Sequence, residues 1–94
     1  MVFCSTGPLS PSSLPQGCPI VNLDGYIEHK IGLSPAEIQA GSADRFAIVE
    51  AEALRDIVVS SEISGADVAV LISPRTLKNP ECCRLVKDHC QLCQ

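Results

Sequence analysis

The hydrophobic pattern is clearest near residue 70, where five consecutive positions are apolar. Residues 68–72 lie between Gly65 and Pro74, two residue types that interrupt regular structure. A short apolar run without polar alternation is typical of a strand that is buried on both faces. The pattern therefore predicts a central strand near residues 67–72.

Two helices are predicted from signals at their N-termini. Before the first, Ser34 can act as the cap and Glu37 completes a capping box, so we expect a helix near residues 35–41. Before the second, Asn79 can act as the cap and is followed by proline, which suits the first helical position. We expect this second helix near residues 80–90.

A third helix is predicted near residues 50–62. Apolar residues recur there at helical spacing, as at Ala51, Leu54 and Val58. The preceding residues 46–49 are compatible both with a brief strand and with an extension of the helix. The sequence does not decide between these two interpretations.

The N-terminal third of the chain has a weaker pattern. Residues 1–4 could form a short strand. Residues 5–19 contain four prolines, and proline at that density interrupts helices and central strands, so we expect a loop or an extended arm. Residues 20–23 are a second possible strand, ended by an Asp-Gly turn signal, after which residues 26–31 could return as the other strand of a hairpin.

Together these elements predict an α/β fold. We expect a small two-layer domain in which a short sheet, with the strand near residues 67–72 at its centre, is packed by the helices. The chain has 94 residues, close to the size of one ordinary domain. Residues 1–94 are therefore expected to form a single domain.

Composition narrows the classes of partner. The net charge is −4 and the aromatic residues are only Phe3, Tyr26 and Phe46, so neither phosphate attraction nor base stacking favours nucleic-acid binding. No apolar run approaches the roughly 20 residues of a membrane span, and the N-terminus lacks the pattern of a signal peptide. We therefore expect a cytoplasmic protein that binds neither nucleic acid nor membrane.

Six cysteines are the most unusual feature of the composition. They are Cys4, Cys18, Cys82, Cys83, Cys90 and Cys93. Because nothing in the sequence indicates secretion, we interpret them as reduced thiols or metal ligands rather than as disulfides.

Two interpretations of the C-terminal cysteines remain open. If the last helix continues, Cys83, Cys90 and Cys93 share one face and can pack as small hydrophobic residues, in which case no cofactor is needed. Alternatively, Cys90 and Cys93 form a C-x-x-C pair that binds zinc or an iron–sulfur cluster, with Cys4 and Cys18 as the remaining ligands.

The loop after the central strand is a candidate anion site. Ligands of open α/β sheets bind beyond the carboxyl ends of the strands. Here the side chains of Ser73, Arg75, Thr76, Lys78 and Asn79 precede a helix N-terminus and could hold a carboxylate, a phosphate or a nucleotide. The alternative is an ordinary connection in which the same polar groups are solvated or cap the helix.

The sequence contains no arrangement that recommends a catalytic residue. We therefore expect a small non-catalytic α/β module that acts as an accessory subunit, by association with a protein partner or with itself. A thiolate metal-binding protein and an anion- or nucleotide-binding protein are the two alternatives.

Overall fold

The computed structural model describes residues 1–7 and 17–92. Four strands and five helices form along these residues. They are β1 (Val2–Ser5), β2 (Ile20–Asn22), α1 (Leu23–Ile31), α2 (Pro35–Gly41), α3 (Ala43–Ser64), β3 (Val68–Leu71), α4 (Pro74–Lys78), α5 (Pro80–His89) and β4 (Cys90–Leu92). The predicted loop over 5–19 falls largely on residues 8–16, which lie outside the described residues, while Ser5 belongs to β1.

The strands form one parallel sheet in the order β2-β3-β1-β4. The predicted central strand is therefore interior, as its unbroken apolar sequence requires. Ser5 of β1 and Asn22 of β2 both lie opposite Leu71 of β3. The carboxyl ends of these three strands consequently meet at one edge of the sheet, which is also the edge where α4 begins.

Side-chain hydrogen bonds fix where the helices begin, as the sequence predicts for two of them. Ser34 and Glu37 form the capping box of α2, and the Asn79 side chain accepts a hydrogen bond from the Glu81 amide at the start of α5. Ser42 is extended; it ends α2 and caps α3 by accepting from the Arg45 amide. This single residue therefore sets the turn between two consecutive helices.

One hydrophobic core joins the sheet to the helices. Register places Val2, Cys4 and Val70 on the same face of the sheet, and all three belong to the core. Every helix contributes to the same cluster; α3 supplies the largest share, including Phe46 and Leu54. The two-layer α/β fold predicted from the sequence is confirmed.

The hairpin predicted for residues 26–31 is wrong, because this segment belongs to helix α1. The Asn22 side chain accepts hydrogen bonds from the amides of Asp24 and Gly25, 3.0 and 3.4 Å away. The Asp-Gly pair therefore lies in the first turn of a helix and not in a β-turn. Gly32, with φ of 86°, ends the helix in the left-handed conformation that favours glycine.

Three further points concern where the helices begin and end: one settles an open alternative, and two differ from the prediction. Residues 46–49 are helical, because Ser42 starts α3 seven residues before the predicted position. The loop over 73–79 contains the short helix α4. The last helix ends at His89, and Cys90 enters β4 instead of continuing the helix. A shared helical face for Cys83 and Cys90 is therefore wrong.

Candidate functional site

The five residues of the predicted anion site lie along α4 and its two flanking residues. Ser73 precedes α4 and Asn79 separates α4 from α5. Thr76 is fully buried, whereas Lys78 is exposed. The loop follows β3 at the carboxyl edge of the sheet, where Ser5 of β1 lies opposite Leu71 of β3.

A buried carboxylate holds this loop in place. Glu50, in the middle of α3, is 1% exposed. One of its oxygens, Oε2, accepts a hydrogen bond from the Thr76 hydroxyl at 3.1 Å. The other, Oε1, accepts from Nδ2 of Asn79 at 3.3 Å and faces the Cys82 thiol at 3.9 Å. Glu50 thus connects α3 to α4 and α5 through polar contacts inside the core.

The guanidinium of Arg75 is held by three groups from other elements. It donates a hydrogen bond to Oδ1 of Asp24 in α1 at 2.7 Å. Its Nε lies 3.5 Å from Oε2 of Glu50, and its Cζ lies 4.8 Å from the centre of the Phe46 ring. These contacts give the cation two carboxylate partners and an aromatic face.

Most polar groups of the loop are therefore engaged within the protein. Asn79 also donates to the Ala47 carbonyl at 2.9 Å, and Ser73 contacts the Thr76 hydroxyl at 3.3 Å. An anion would have to displace a carboxylate from Arg75, and two carboxylates near one cation disfavour a further negative charge. The geometry favours a structural role for the loop, and anion binding stays a prediction.

The structure brings together two of the four predicted metal ligands. Cys4 and Cys90 lie on neighbouring strands, where Cys90 pairs with Val2, and their thiols form a hydrogen bond. Cys18 precedes β2, three strand spacings or roughly 14 Å from the strand of Cys90. Cys93 lies outside the described residues.

Within the described residues no group of three or more His, Cys, Asp or Glu side chains is arranged to hold a metal ion. Cys18, Cys82, Cys83 and Cys90 are free thiols, and Cys4 and Cys82 are completely buried. The predicted packing face consisted of Cys83, Cys90 and Cys93 instead; Cys83 and Cys90 are half-buried, and Cys93 lies outside the described residues. Zinc or iron–sulfur binding stays a prediction.

The environments of Cys82 and Cys90 shift their acidities in opposite directions. Burial, together with the nearby carboxylate of Glu50, raises the pKa of the Cys82 thiol to about 12. The hydrogen bond from Cys4 lowers the pKa of the half-buried Cys90 thiol. Cys90 is therefore the more readily ionised of these two thiols.

A third feature lies on the outer face of α3, opposite the core. Ile48, Val59 and Ile63 are 61%, 43% and 82% exposed. At roughly 100° per residue these three positions fall within about 60° of arc, so they form one row along the helix. The charged residues Glu52 and Arg55 lie in the same row. We call these five residues the outer row.

Two shallow grooves flank the outer row. One, of about 500 Å³, is lined by residues of α3 alone, from Arg55 to Ser64. The other, of about 300 Å³, lies between the N-terminal half of α3 and the start of α5; its lining includes Ile48, Glu52 and Glu81. The row is thus a ridge with space on both sides.

Glu50 and the outer row were not predicted from the sequence. A signal for Glu50 was present, because it stands four residues after Phe46 and four before Leu54, in the apolar stripe of the helix. An acidic residue at such a position needs buried partners. The outer row shows the opposite departure, because Ile48 and Ile63 are apolar residues on the polar side of the helix.

Comparison with known proteins gives no relative from which a function could be transferred. No protein-family model, curated protein or solved structure matches the chain significantly. Across residues 1–7 and 17–92, none of the helices has the length and apolar character needed to cross a membrane. The functional argument therefore rests on the chain's own surface and contacts.

Proposed function

We propose that the protein is an accessory module that works by association with another protein surface, through the outer row of α3. The observation that carries the proposal is the exposure of Ile48, Val59 and Ile63 along one side of a 22-residue helix. Aligned apolar side chains of this kind lose unfavourable contact with water when a partner covers them.

The other polar features support association more than catalysis. Glu50, Thr76 and Asn79 are used to join elements of the fold. Cys82 is sealed in the core, where its raised pKa disfavours the reactive thiolate. The outer row, by contrast, is accessible along one side of a helix, and an exposed helix face is a common way to present a binding surface.

The proposal places the protein in the cytoplasm. In that compartment the cysteines are expected to stay reduced. The net charge of −4 favours a protein partner over a nucleic acid.

The test introduces a photo-crosslinking phenylalanine analogue at Ser60, an exposed position beside the outer row. Irradiation in an extract of the protein's own cells should give a discrete covalent adduct, either with a second copy or with another protein. The adduct should disappear in the variant Ile48→Ser/Ile63→Ser. It should persist in the matched control Ile31→Ser/Leu33→Ser, which removes two similarly exposed apolar side chains elsewhere.

The proposal is wrong if no adduct forms, or if the Ile48→Ser/Ile63→Ser variant gives the same adduct as the unmodified chain. Circular dichroism of both double variants shows that they are folded before the comparison is made. Because all four substituted positions are at least 40% exposed, each double variant is expected to fold normally.

A further inference from the structure

Two cysteines are brought together by the pairing of the first strand with β4. Cys90 lies opposite Val2 across the β1–β4 pair, so the side chains of these two residues share one face of the sheet. Cys4 follows Val2 by two positions on β1 and therefore lies on the same face. The thiols of Cys4 and Cys90 form a hydrogen bond there. We propose that this pair is an oxidisable site, which hydrogen peroxide converts into a reversible disulfide within one chain.

The other described cysteines are less suited to this reaction. Cys82 is completely buried, and its raised pKa disfavours the reactive thiolate. Cys82 and Cys83 are consecutive on α5, so their side chains point in directions about 100° apart. Cys18 precedes β2, which is at the opposite edge of the sheet from β4. The contact between Cys4 and Cys90 is therefore the place where two thiols are poised to join.

The two thiols differ in their access to solvent, and this difference sets the order of the reaction. Cys4 is 0% exposed, whereas Cys90 is half-buried at the start of the edge strand β4. A small uncharged oxidant such as hydrogen peroxide therefore reaches Cys90 first. The lowered pKa of Cys90 acts in the same direction, because the thiolate is the form that reacts.

The oxidation takes two steps. In the first, the Cys90 thiolate attacks one oxygen of hydrogen peroxide and the O–O bond breaks, which leaves a sulfenic acid on Cys90; the departing hydroxide takes up the proton that the thiol had released and becomes water. In the second, the sulfur of Cys4 attacks the sulfur of the sulfenic acid and the S–O bond breaks. The thiol proton of Cys4 leaves with that hydroxyl group as a second water. Two thiols are thus oxidised to one disulfide while one hydrogen peroxide is reduced to two waters.

Closing the disulfide requires a small shift of β4. Residues offset by two positions on neighbouring strands have Cα atoms about 8 Å apart, because the strands are about 5 Å apart and each residue advances about 3.3 Å. Disulfides usually span at most about 6.8 Å between Cα atoms. β4 can move by the difference, because it is a strand of 3 residues at the edge of the sheet and is paired to β1 on one side. A bond formed under such strain is readily reduced, which suits a reversible modification.

The test is oxidation of the reduced, folded protein with a small excess of hydrogen peroxide. The remaining thiols are then alkylated, and the protein is digested with trypsin without reduction and analysed by mass spectrometry. Cys4 lies in the N-terminal tryptic peptide, 1–30, and Cys90 lies in the C-terminal one, 88–94. We expect these two peptides to be joined by a disulfide in protein that runs as a monomer on a non-reducing gel. Dithiothreitol should release both peptides.

Matched variants assign the bond, because the N-terminal peptide also contains Cys18 and the C-terminal peptide also contains Cys93. The variant Cys18→Ser/Cys93→Ser should form the link as fast as the unmodified chain. Adding Cys4→Ser to this variant should abolish the link and leave a sulfenic acid on Cys90 that dimedone labels. Adding Cys90→Ser instead should abolish the link without any labelling of Cys4, because that thiol is buried.

Oxidation in concentrated urea separates the effect of the fold from the general reactivity of thiols. The unfolded chain holds Cys4 and Cys90 far apart, so the link in Cys18→Ser/Cys93→Ser should form at least about tenfold more slowly there than in the folded protein. Circular dichroism shows that each variant is folded before it is oxidised. The proposal is overturned if the folded Cys18→Ser/Cys93→Ser variant forms no link, or if its link forms as fast in urea. A disulfide that requires Cys18 or Cys93 overturns it as well.

Discussion

Replacing Glu50 with alanine should destabilise the fold more than any other substitution on α3 that removes a charged side chain. The carboxylate accepts hydrogen bonds from Thr76 and Asn79 and faces Nε of Arg75. Removing it leaves the Thr76 hydroxyl and the Asn79 amide without this acceptor, and it leaves Arg75 without one of its two carboxylate partners. A buried donor that loses its partner carries the full cost of its desolvation, which exceeds the net value of the hydrogen bond.

The magnitude follows from how buried each donor is. Thr76 is 0% exposed, so the loss of its acceptor costs about 1–3 kcal/mol, although its contact with Ser73 remains. Asn79 keeps the Ala47 carbonyl and Arg75 keeps Asp24, so each adds only a fraction of that. The total is about 3 kcal/mol, which is about a third of the stability of a domain this size, and it should lower Tm by roughly 15 °C.

The assay is urea denaturation at pH 7 with a reducing agent, followed by circular dichroism. Glu52→Ala is the matched control: the same change two residues away, on the exposed side of the same helix, should stay within about 0.5 kcal/mol of the unmodified protein. Glu50→Gln keeps one accepting oxygen and should fall between the two. A loss below about 0.5 kcal/mol for Glu50→Ala would refute the assignment of Glu50 as the polar centre of the core.

Two predictions concern the thiols. Because the folded state raises the pKa of Cys82 from 9.0 to about 12, its protonated form stabilises the fold fully below pH 9, and that stability is lost as the pH rises toward 12. The difference in unfolding free energy between the unmodified protein and Cys82→Ala should therefore shrink between pH 8 and pH 11, and a constant difference would contradict this. For Cys90, whose pKa is lowered by the Cys4 hydrogen bond, the midpoint of the pH dependence of iodoacetamide alkylation should rise in Cys4→Ala. Mass spectrometry of the alkylated peptide measures that midpoint, and an unchanged or lower value would show that Cys4 is not the donor.

Local signals in the sequence were enough to predict the elements whose ends are set by neighbouring residues. The capping box at Ser34 and the Asn79 cap depend on side chains within three residues, and both are present as predicted. Strand β3 was predicted from its apolar run and from Gly65 and Pro74, which interrupt regular structure on either side. In each case the residues that decide the structure are close neighbours along the chain, so the sequence pattern is enough to predict it.

The errors occurred where two local interpretations competed and tertiary structure decided. An asparagine before Asp-Gly can start a turn or cap a helix, and α1 forms because Leu23 and Ile27 reach the core on one helical face. At the C-terminus, Cys90 leaves the helix because an open edge of β1 is available to pair with it. The strand that Cys90 pairs with lies almost 90 residues earlier in the chain, so no pattern near Cys90 could predict the pairing.

The polar contacts of the candidate site could not be predicted for the same reason. Arg75 and Asp24 are 51 positions apart, and Glu50 and Asn79 are 29 apart. The sequence does give the side chains that end up at the carboxyl edge of the sheet, because parallel strands bring their ends together. It does not give which carboxylate each donor meets, and that choice decides which of these side chains are engaged within the protein.

Helix α3 breaks the ordinary amphipathic pattern in two directions, and the two departures have different explanations. Glu50 is a charge on the apolar face, and the fold compensates it with hydrogen bonds from Thr76 and Asn79 and an ion pair with Arg75, so nothing outside the chain is needed. Ile48 and Ile63 are apolar side chains on the polar face, and the described residues offer them no compensating contact. Sequences that fold well agree with their structure at every level except where function requires otherwise. By that criterion the outer row, and not the buried polar network, is where the function of this protein should be sought.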